Sequence, residues 1–369
     1  MKVLFWSSFA LVAYAYFGYA LLLWLFVLAR RRPIRRAPIF PTVSIVIAAR
    51  NEETALPGKI ANLKLLEYPA DRLQIVIASD GSTDQTALIL ERCERVIPVI
   101  LETSRGKASA LNAAVKQASG DLLVFLDARQ NVDADAISEL AACFADPDVG
   151  AVSGELLIES TPGVASSNAL GIYWKLEKMV RKLEAASGSV VGVTGAIYAI
   201  RRELYTEIPV STILDDVFVP MGVVRQGHRV VFQPTAIARD RLFIQKGKEF
   251  SRKVRTLTGN YQLLRLAPWL LSPENPILLR FISHKLLRLL VPFLLVLMLM
   301  SSFWARTPLY RAAFWLQVSF YLLAAVGSAM PPIRRFKPVA IASTFVMLNV
   351  AATMALYNFL FGRKQVWVR

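Results

Sequence analysis

The chain has 369 residues, 55% of them hydrophobic, and a formal net charge of +16. Such an apolar share calls for membrane segments, which a nucleic-acid binder does not need, so the basic charge is assigned to anionic lipid or phosphate-bearing substrates. The two cysteines, Cys93 and Cys143, make no metal spacing and no disulfide framework.

Residues 4–29 carry no charge and are long enough to cross a bilayer. No short apolar region with a small-residue cleavage site is present, so this reads as an anchor that stays. The sequence RRRPIRR follows at once, which predicts a cytoplasmic exit and an N-terminus outside. From about residue 43 the composition becomes that of a soluble α/β domain. VSIVIA (43–48), LQIVIAS (73–79) and LLVFLD (122–127) read as buried parallel strands. Helix-like stretches lie between them, TDQTALILERCERV and ASALNAAVKQA, the first with Thr83 or Asp84 as N-cap. This alternation predicts a doubly wound, mainly parallel sheet, with ligands beyond the carboxyl ends of its strands. There the polar groups sit: RNEE after the first strand, DGSTD after the second, DARQ after the third.

After about residue 260 the chain turns membrane-like again. Residues 261–284 mix apolar and basic side chains and read as an interfacial amphipathic segment. Three candidate spans follow, at about 286–304, 312–330 and 338–361. The basic loop PPIRRFKP between the last two would be cytoplasmic; the same count leaves the basic tail GRKQVWVR outside, against the charge tendency.

Each strand-end site has two readings. Asp80 can accept hydrogen bonds from a ribose or a base, with Gly81 turning the chain into the helix, or it can simply make an Asx turn with a helix cap. At Asp127 one carboxylate could hold a divalent cation together with a substrate's phosphates. Arg129 cannot ligate a metal. It can bind a diphosphate beside the metal, replace the metal, or pair with a nearby acid such as Asp133. The acid pair Asp215–Asp216 either supplies a base or stabilises a helix start through the dipole.

The ordered set SIVIAARNEE, IVIASDGSTDQT, RGKASALNAA, GDLLVFLDARQ, VTGAIYAIRRE and LDDVFVPMGVVRQGHRV resembles the membrane-anchored family 2 glycosyltransferases, the superfamily of cellulose and hyaluronan synthases. The resemblance implies a GT-A nucleotide-sugar-binding, Rossmann-like α/β domain flanked by transmembrane helices. It divides the chain into an N-terminal transmembrane helix (1–30), a cytosolic GT-A domain (31–260), the interfacial segment (261–284) and a C-terminal transmembrane region (285–369). It implies inverting transfer of a sugar from a nucleotide diphosphate donor, commonly a UDP-sugar, to a hydroxyl of a polysaccharide or lipid-linked saccharide. The alternatives are a polyprenyl-phosphate acceptor, which needs no base, or a donor-binding subunit that has lost chemistry. The expected setting is multi-pass in a bacterial inner (plasma) membrane, with membrane lipids as neighbours and no nucleic-acid partner.

Residue roles carry over by position. Asn51, Glu52 and Asp80 resemble the nucleoside pocket, Lys107 a donor-site lysine, and Asp127 the metal ligand for Mg2+ or Mn2+. Arg129 would add charge near the phosphates. Asp216 resembles the catalytic base, with Asp215 beside it. The processive members' Gln-x-x-Arg-Trp falls near SRKVRT, where Arg255 matches the arginine but Arg252 and Thr256 replace the glutamine and tryptophan. Arg255 can still stabilise a leaving diphosphate; the missing ring puts processive synthesis in doubt. Asn112 is expected to tighten its helix start. Tyr173 and Trp174 could stack on sugar or pack in a core, and His228 and His284 read as structural or interfacial.

Overall fold

Side-chain alternation decides what each strand buries. The computed structural model describes residues 1–159, 168–241, 248–305 and 307–362. In chain order its elements are α1 (Lys2–Ala29), β1 (Val43–Ala49), α2 (Leu56–Leu63), β2 (Leu73–Asp80), α3 (Thr86–Glu91), β3 (Ile97–Leu101), α4 (Lys107–Lys116), β4 (Leu122–Asp127), β5 (Asn131–Val132), α5 (Ala136–Ala142), β6 (Val149–Glu159), α6 (Asn168–Ser187), β7 (Ile197–Arg201), α7 (Asp215–Arg225), β8 (Arg229–Arg241), α8 (Lys248–Leu266), α9 (Leu278–Trp304), α10 (Pro308–Ala329) and α11 (Lys337–Phe361). Short 3-10 turns link several of them.

The eight strands form one sheet in the order β3-β2-β1-β4-β7-β6-β8-β5. Val43, Ile45 and Ile47 of β1 and Val124 and Leu126 of β4 face one layer, which α2, α3 and α5 cover with Leu56, Leu63, Leu90, Ile137 and Leu140. Val46, Ala48, Leu123 and Phe125 face the other, covered by Ala110, Leu111 and Ala114 of α4 and Val219 and Val223 of α7. Each large aliphatic side chain buried this way contributes about 1.5–3 kcal/mol.

Strands β3, β2, β1 and β4 are parallel throughout, as the alternation predicts. Beyond β4 the sheet is mixed: β7 runs antiparallel to both β4 and β6, β6 and β8 are parallel, and β5 is antiparallel to β8. The strand order reverses at β1, whose neighbours are β2 and β4. A crevice therefore opens beyond the carboxyl ends of β1 and β4, the general place for ligands in such sheets.

Four of the described helices, α1, α9, α10 and α11, are long and apolar enough to cross a membrane. Their bounds refine the expected spans: α9 begins at Leu278, eight residues before the expected 286. Charges at Arg280, His284, Lys285 and Arg288 interrupt the apolar run, but Arg280, His284 and Arg288 find partners on α6 and the helix continues through them. Helix α8 runs through residue 260 without a break. It packs on α11, with Tyr261 and Phe359 stacked 5.8 Å apart. Of the tail GRKQVWVR only Gly362 lies within the described residues.

Gly120 precedes β4 where it passes β1. A Cβ there would lie 2.5 Å from Ser44 N and 2.7 Å from the Val43 carbonyl carbon, both backbone atoms that cannot step aside. Gly120→Ala is expected to destabilise by about 1–3 kcal/mol. The readout is a lower Tm of the detergent-purified chain; an unchanged Tm would contradict so close an approach.

Candidate active site

The loops after β1 and β2 are stitched to each other. Asn51, in the left-handed region at φ 53°, accepts from Thr83 N–H at 2.8 Å, while its own N–H donates to Ser82 Oγ. Glu52 N–H donates to Thr86 Oγ1. Asp84 accepts from Thr86 N–H at 3.0 Å just ahead of α3, but the residue at the helix start is Gln85 and no side chain caps it, so neither Thr83 nor Asp84 is the N-cap.

Asp80 does something other than present a free carboxylate. It is fully buried, and its oxygens accept from Arg105 N–H (2.7 Å), Ser104 Oγ–H (2.8 Å) and Gly106 N–H (2.9 Å). Gly81 permits this. Its φ is +55°, and a Cβ would strike Ser104 N at 2.2 Å. The result is a fixed loop at 104–106 from which α4 starts with Lys107. Asn112 likewise departs from expectation. Instead of tightening the helix start, it bonds Ile208 N–H, Ile208 O and the Tyr205 hydroxyl, fastening α4 to the segment that leads toward α7.

Lys107 Nζ lies 3.1 Å from Asp127 Oδ1, at the tip of β4, and 3.2 Å from Asp215 Oδ2, in the first turn of α7. Burial works to lower the lysine's pKa, but Asp127, Asp215 and Asp216 outweigh it and the net direction is upward, so the ammonium is fixed in its charged form. Asp216 stands next to this bridge. Burial and the Asp215 charge push its carboxyl up to about 6, against the opposing pull of Lys107. Gly192 and Gly195 leave room on its other side: a Cβ on Gly195 would sit 3.6 Å from Asp216 Oδ2, and Val193 N–H donates to the Asp216 carbonyl at 2.9 Å.

The segment delivering the acid pair is held by α8. Gln262 of α8 accepts from Ile213 N–H and donates to Ser211 O. Gly259 lets α8 close on it, since a Cβ there would meet Leu214 Cγ at 2.6 Å. Arg255 lies one turn before Gly259 and so shares its side of the helix. Its Nε is buried without a hydrogen-bond partner among the described residues.

Arg129 is paired with an acid, but the acid is Glu52 rather than Asp133. Its Nε donates to both Glu52 oxygens at 2.8 and 2.9 Å, and Asp133 is taken by Arg239. The Asp133 expectation fails because β5 pairs with β8 and carries that aspartate toward Arg239. Lys59 gave no signal in the sequence. It is 1% exposed and donates to Gln130 O at 2.7 Å, supporting the Asp127–Gln130 turn from below. Burial lowers its pKa to about 8, with Asp127 acting to raise it. Trp174 carries Lys253 over its ring at 5.3 Å, so one face is covered by a cation; the Tyr173 side chain lies outside the described ones. His228 has a buried Nδ1 without a partner among the described residues, and His284 is a buried bridge between two α6 carboxylates, its Nδ1 2.8 Å from Glu184 Oε1 and its Nε2 2.6 Å from Glu177 Oε1.

Among the described residues no cluster of three or more His, Cys, Asp or Glu is placed to hold a metal. Asp127 is the group that suits one. It is a hard oxygen donor, 38% exposed, at the mouth of the crevice. A divalent cation fits there only if a ligand's own oxygens complete its shell.

Residues 44–209 match the family model of Glycosyl transferase family 2. The domain belongs to glycosyl transferase family 2. A poly-β-1,6-N-acetyl-D-glucosamine synthase of Staphylococcus aureus is 27% identical over 229 residues, 60% of this chain and 55% of that protein. A β-monoglucosyldiacylglycerol synthase of Synechocystis is 31% identical over 153 residues, 38% of this chain and 32% of the relative. The chain thus spans about half the length, or less, of these two curated relatives. A solved mannosyltransferase from Pyrobaculum calidifontis, in complex with GDP-Man and Mn2+, shares the fold over 98% of this chain and 99% of its own, with a TM-score of 0.74 and 23% identity. The glycosyltransferase domain and its apolar helices are therefore found together in that solved fold.

Lys107 bridges two acids, so deleting it leaves Asp127, Asp215 and Asp216 uncompensated. Lys107→Met is expected to destabilise the chain, and adding Asp215→Asn should restore part of the loss, with a coupling of about 1–3 kcal/mol. Thermal melts of the two single variants and the double variant measure it. Strict additivity would show that the bridge is not formed.

Proposed function

We propose that the chain is an inverting glycosyltransferase, moving a sugar from a nucleotide diphosphate donor to a hydroxyl of a saccharide or lipid-linked saccharide at the cytosolic membrane face. The observation that carries this reading is the convergence of Asp127, Lys107 and the Asp215–Asp216 pair beyond the carboxyl ends of β1 and β4, within a family 2 domain. Asn51 and Glu52 would line the nucleoside end, with Asp80 setting its floor by holding residues 104–106. The family's common donor, a UDP-sugar, is the first candidate; the solved relative that holds GDP-Man makes a GDP-sugar the natural comparison.

The acceptor hydroxyl gives its proton to Asp216, and its oxygen forms a bond to the anomeric carbon. The bond from that carbon to the diphosphate oxygen breaks, and the diphosphate leaves with the electron pair. A carboxylate with a pKa near 6 is deprotonated at neutral pH yet remains a better base than an exposed aspartate. Lys107 meets the charge that develops on the leaving group, and Arg255 would do so from α8. Arg129 would join them by leaving Glu52; its guanidinium is 56% exposed but the Glu52 side chain only 13%, so the move leaves a largely buried acid to be compensated. Asp127, together with the donor's phosphates, would hold a divalent cation, Mg2+ or Mn2+. When bound, that cation would neutralise diphosphate charge.

The sign of the pH dependence follows from the base. Asp216 works deprotonated, so kcat/KM should fall tenfold per unit as pH drops below about 6. Asp216→Asn should lose at least about 100-fold in kcat, the scale of general base catalysis, while still binding donor. Sugar transfer with a donor panel including UDP-GlcNAc and GDP-Man, run with and without EDTA, checks both. Full activity in Asp216→Asn, or a flat profile down to pH 5, would sink this role.

A further inference from the structure

The two loops that flank the reversal point of the sheet are tied to each other by one ion pair. In the β1–β4 register Ala48 lies beside Asp127. Glu52 stands four residues after Ala48, and Arg129 two residues after Asp127. Their side chains meet across the gap between the strand ends. Arg129 Nε donates to both Glu52 oxygens, at 2.8 and 2.9 Å, and Nη2 lies 2.8 Å from Oε1. The pair thus crosses the region beyond the carboxyl ends of β1 and β4, where the ligands of such sheets lie.

The backbones that carry the two groups are pinned, so parting them is a side-chain movement. Glu52 N–H donates to Thr86 Oγ1 at 2.8 Å, and Glu52 O accepts from Ala55 and Leu56 N–H at 3.0 and 2.9 Å. On the other side Lys59 Nζ donates to Gln130 O, Gln130 Nε2 donates to Asp240 at 3.1 Å, and Asn62 bonds both backbone groups of Val132. Exposure divides the pair unequally, 56% for Arg129 against 13% for Glu52. Arg129 can therefore turn to water or to another anion. Glu52 cannot be left bare, because a largely buried carboxylate stripped of its partner is costly. A neutral O–H or N–H donor also competes poorly with a charged fork. A nucleoside alone must displace the guanidinium, and a phosphate alone must strip Glu52. A ligand that carries both groups answers both demands at once.

We propose that the Glu52–Arg129 pair is a specificity latch, opened by a ligand that brings hydrogen-bond donors to Glu52 and a diphosphate to Arg129 on one molecule. The inference rests on the nucleotide diphosphate donor reading and adds how that site tells a whole donor from its parts. The donors at Glu52 are ribose hydroxyls or base N–H groups, either of which suits an acceptor-only carboxylate. Arg129 passes from carboxylate to phosphate oxygens, which its planar fork fits equally well. It shares the turn after β4 with Asp127, and so stands beside the expected diphosphate.

The test is competition binding on the full-length, detergent-purified chain, with Mg2+ at a fixed level and no acceptor. Radiolabelled UDP and GDP are displaced by UDP, GDP, uridine, guanosine and pyrophosphate, and the tighter nucleotide sets which nucleoside is compared. In Arg129→Gln the Glu52 carboxylate is already free. The nucleoside is expected to gain at least about threefold in affinity, while the nucleotide loses at least about tenfold. In Glu52→Gln the guanidinium has lost its charged partner, so pyrophosphate should gain at least about threefold while the nucleotide again loses. Opposite signs within one variant cannot come from loss of fold. A gain kept by the 2′-deoxynucleoside places the donors on the base and a gain lost places them on the ribose; either supports the exchange. Nucleoside binding unchanged or weakened in Arg129→Gln, or pyrophosphate binding unchanged or weakened in Glu52→Gln, would overturn it. Sugar transfer is assayed separately. A chain that shows the exchange but transfers no sugar refutes the catalytic reading and leaves the latch standing, whereas transfer without either gain refutes the latch alone.

Discussion

Three carboxylates cannot crowd into one crevice unless something positive stands among them. Asp127 comes from the end of β4, and Asp215 and Asp216 from the start of α7, on opposite sides of the site. The Lys107 ammonium spans the gap, touching one acid on each side. Much of the surrounding architecture serves to put that nitrogen there. The buried Asp80 carboxylate fixes the loop before α4, and Gly81 permits the loop's close approach. Asn112 ties α4 to the segment leading to α7, and Gln262 pins that segment from α8. The bridge leaves Asp216 among neighbours of both signs, with Asp215 and Asp127 raising its pKa and Lys107 and Lys285 lowering it, which is why burial raises it moderately and not to an extreme.

The membrane helices are part of this arrangement and not only an anchor. Helix α8 touches both α11 and the Ile213–Leu214 segment ahead of the acid pair. The Glu184–His284–Glu177–Arg288 chain joins α9 to α6, and Arg280 holds the carbonyls at the end of α6, from which the chain runs on to Gly192 and Gly195 beside Asp216. Breaking one partner of a buried charged network is costly, on the order of 3–5 kcal/mol. A membrane helix and the floor of the site therefore cannot shift independently without losing those bonds.

Much of this was legible in the sequence, for identifiable reasons. The strands 43–48, 73–79 and 122–127 are apolar on both faces because they lie inside a parallel sheet covered twice, and their polar ends mark the crevice directly. Strand β3 was not legible. Pro98 and its exposed residues disguise an edge strand, the one place a sheet tolerates proline. Antiparallel β7 was also hidden, because IYAIR announces burial but not direction. At the site, motif position singled out Asp127, Lys107 and the acid pair, yet did not show that Asp80 is taken up by the Ser104 hydroxyl and two backbone amides or that Arg129 pairs with Glu52. Both outcomes depend on loop geometry. His284 was readable as structural or interfacial, but its partner Glu177 was not, and Lys59 was not readable at all, because the partners lie 107 and 71 residues away in sequence.

The central claim is a single displacement at the anomeric carbon with Asp216 as base and no covalent sugar on the protein. The most direct measurement is the anomeric configuration of the first product, read by NMR from a donor of known configuration and paired with intact-protein mass spectrometry during turnover. The account requires an inverted linkage and an unmodified chain. A retained configuration, or a glycosyl adduct on the protein, would contradict it.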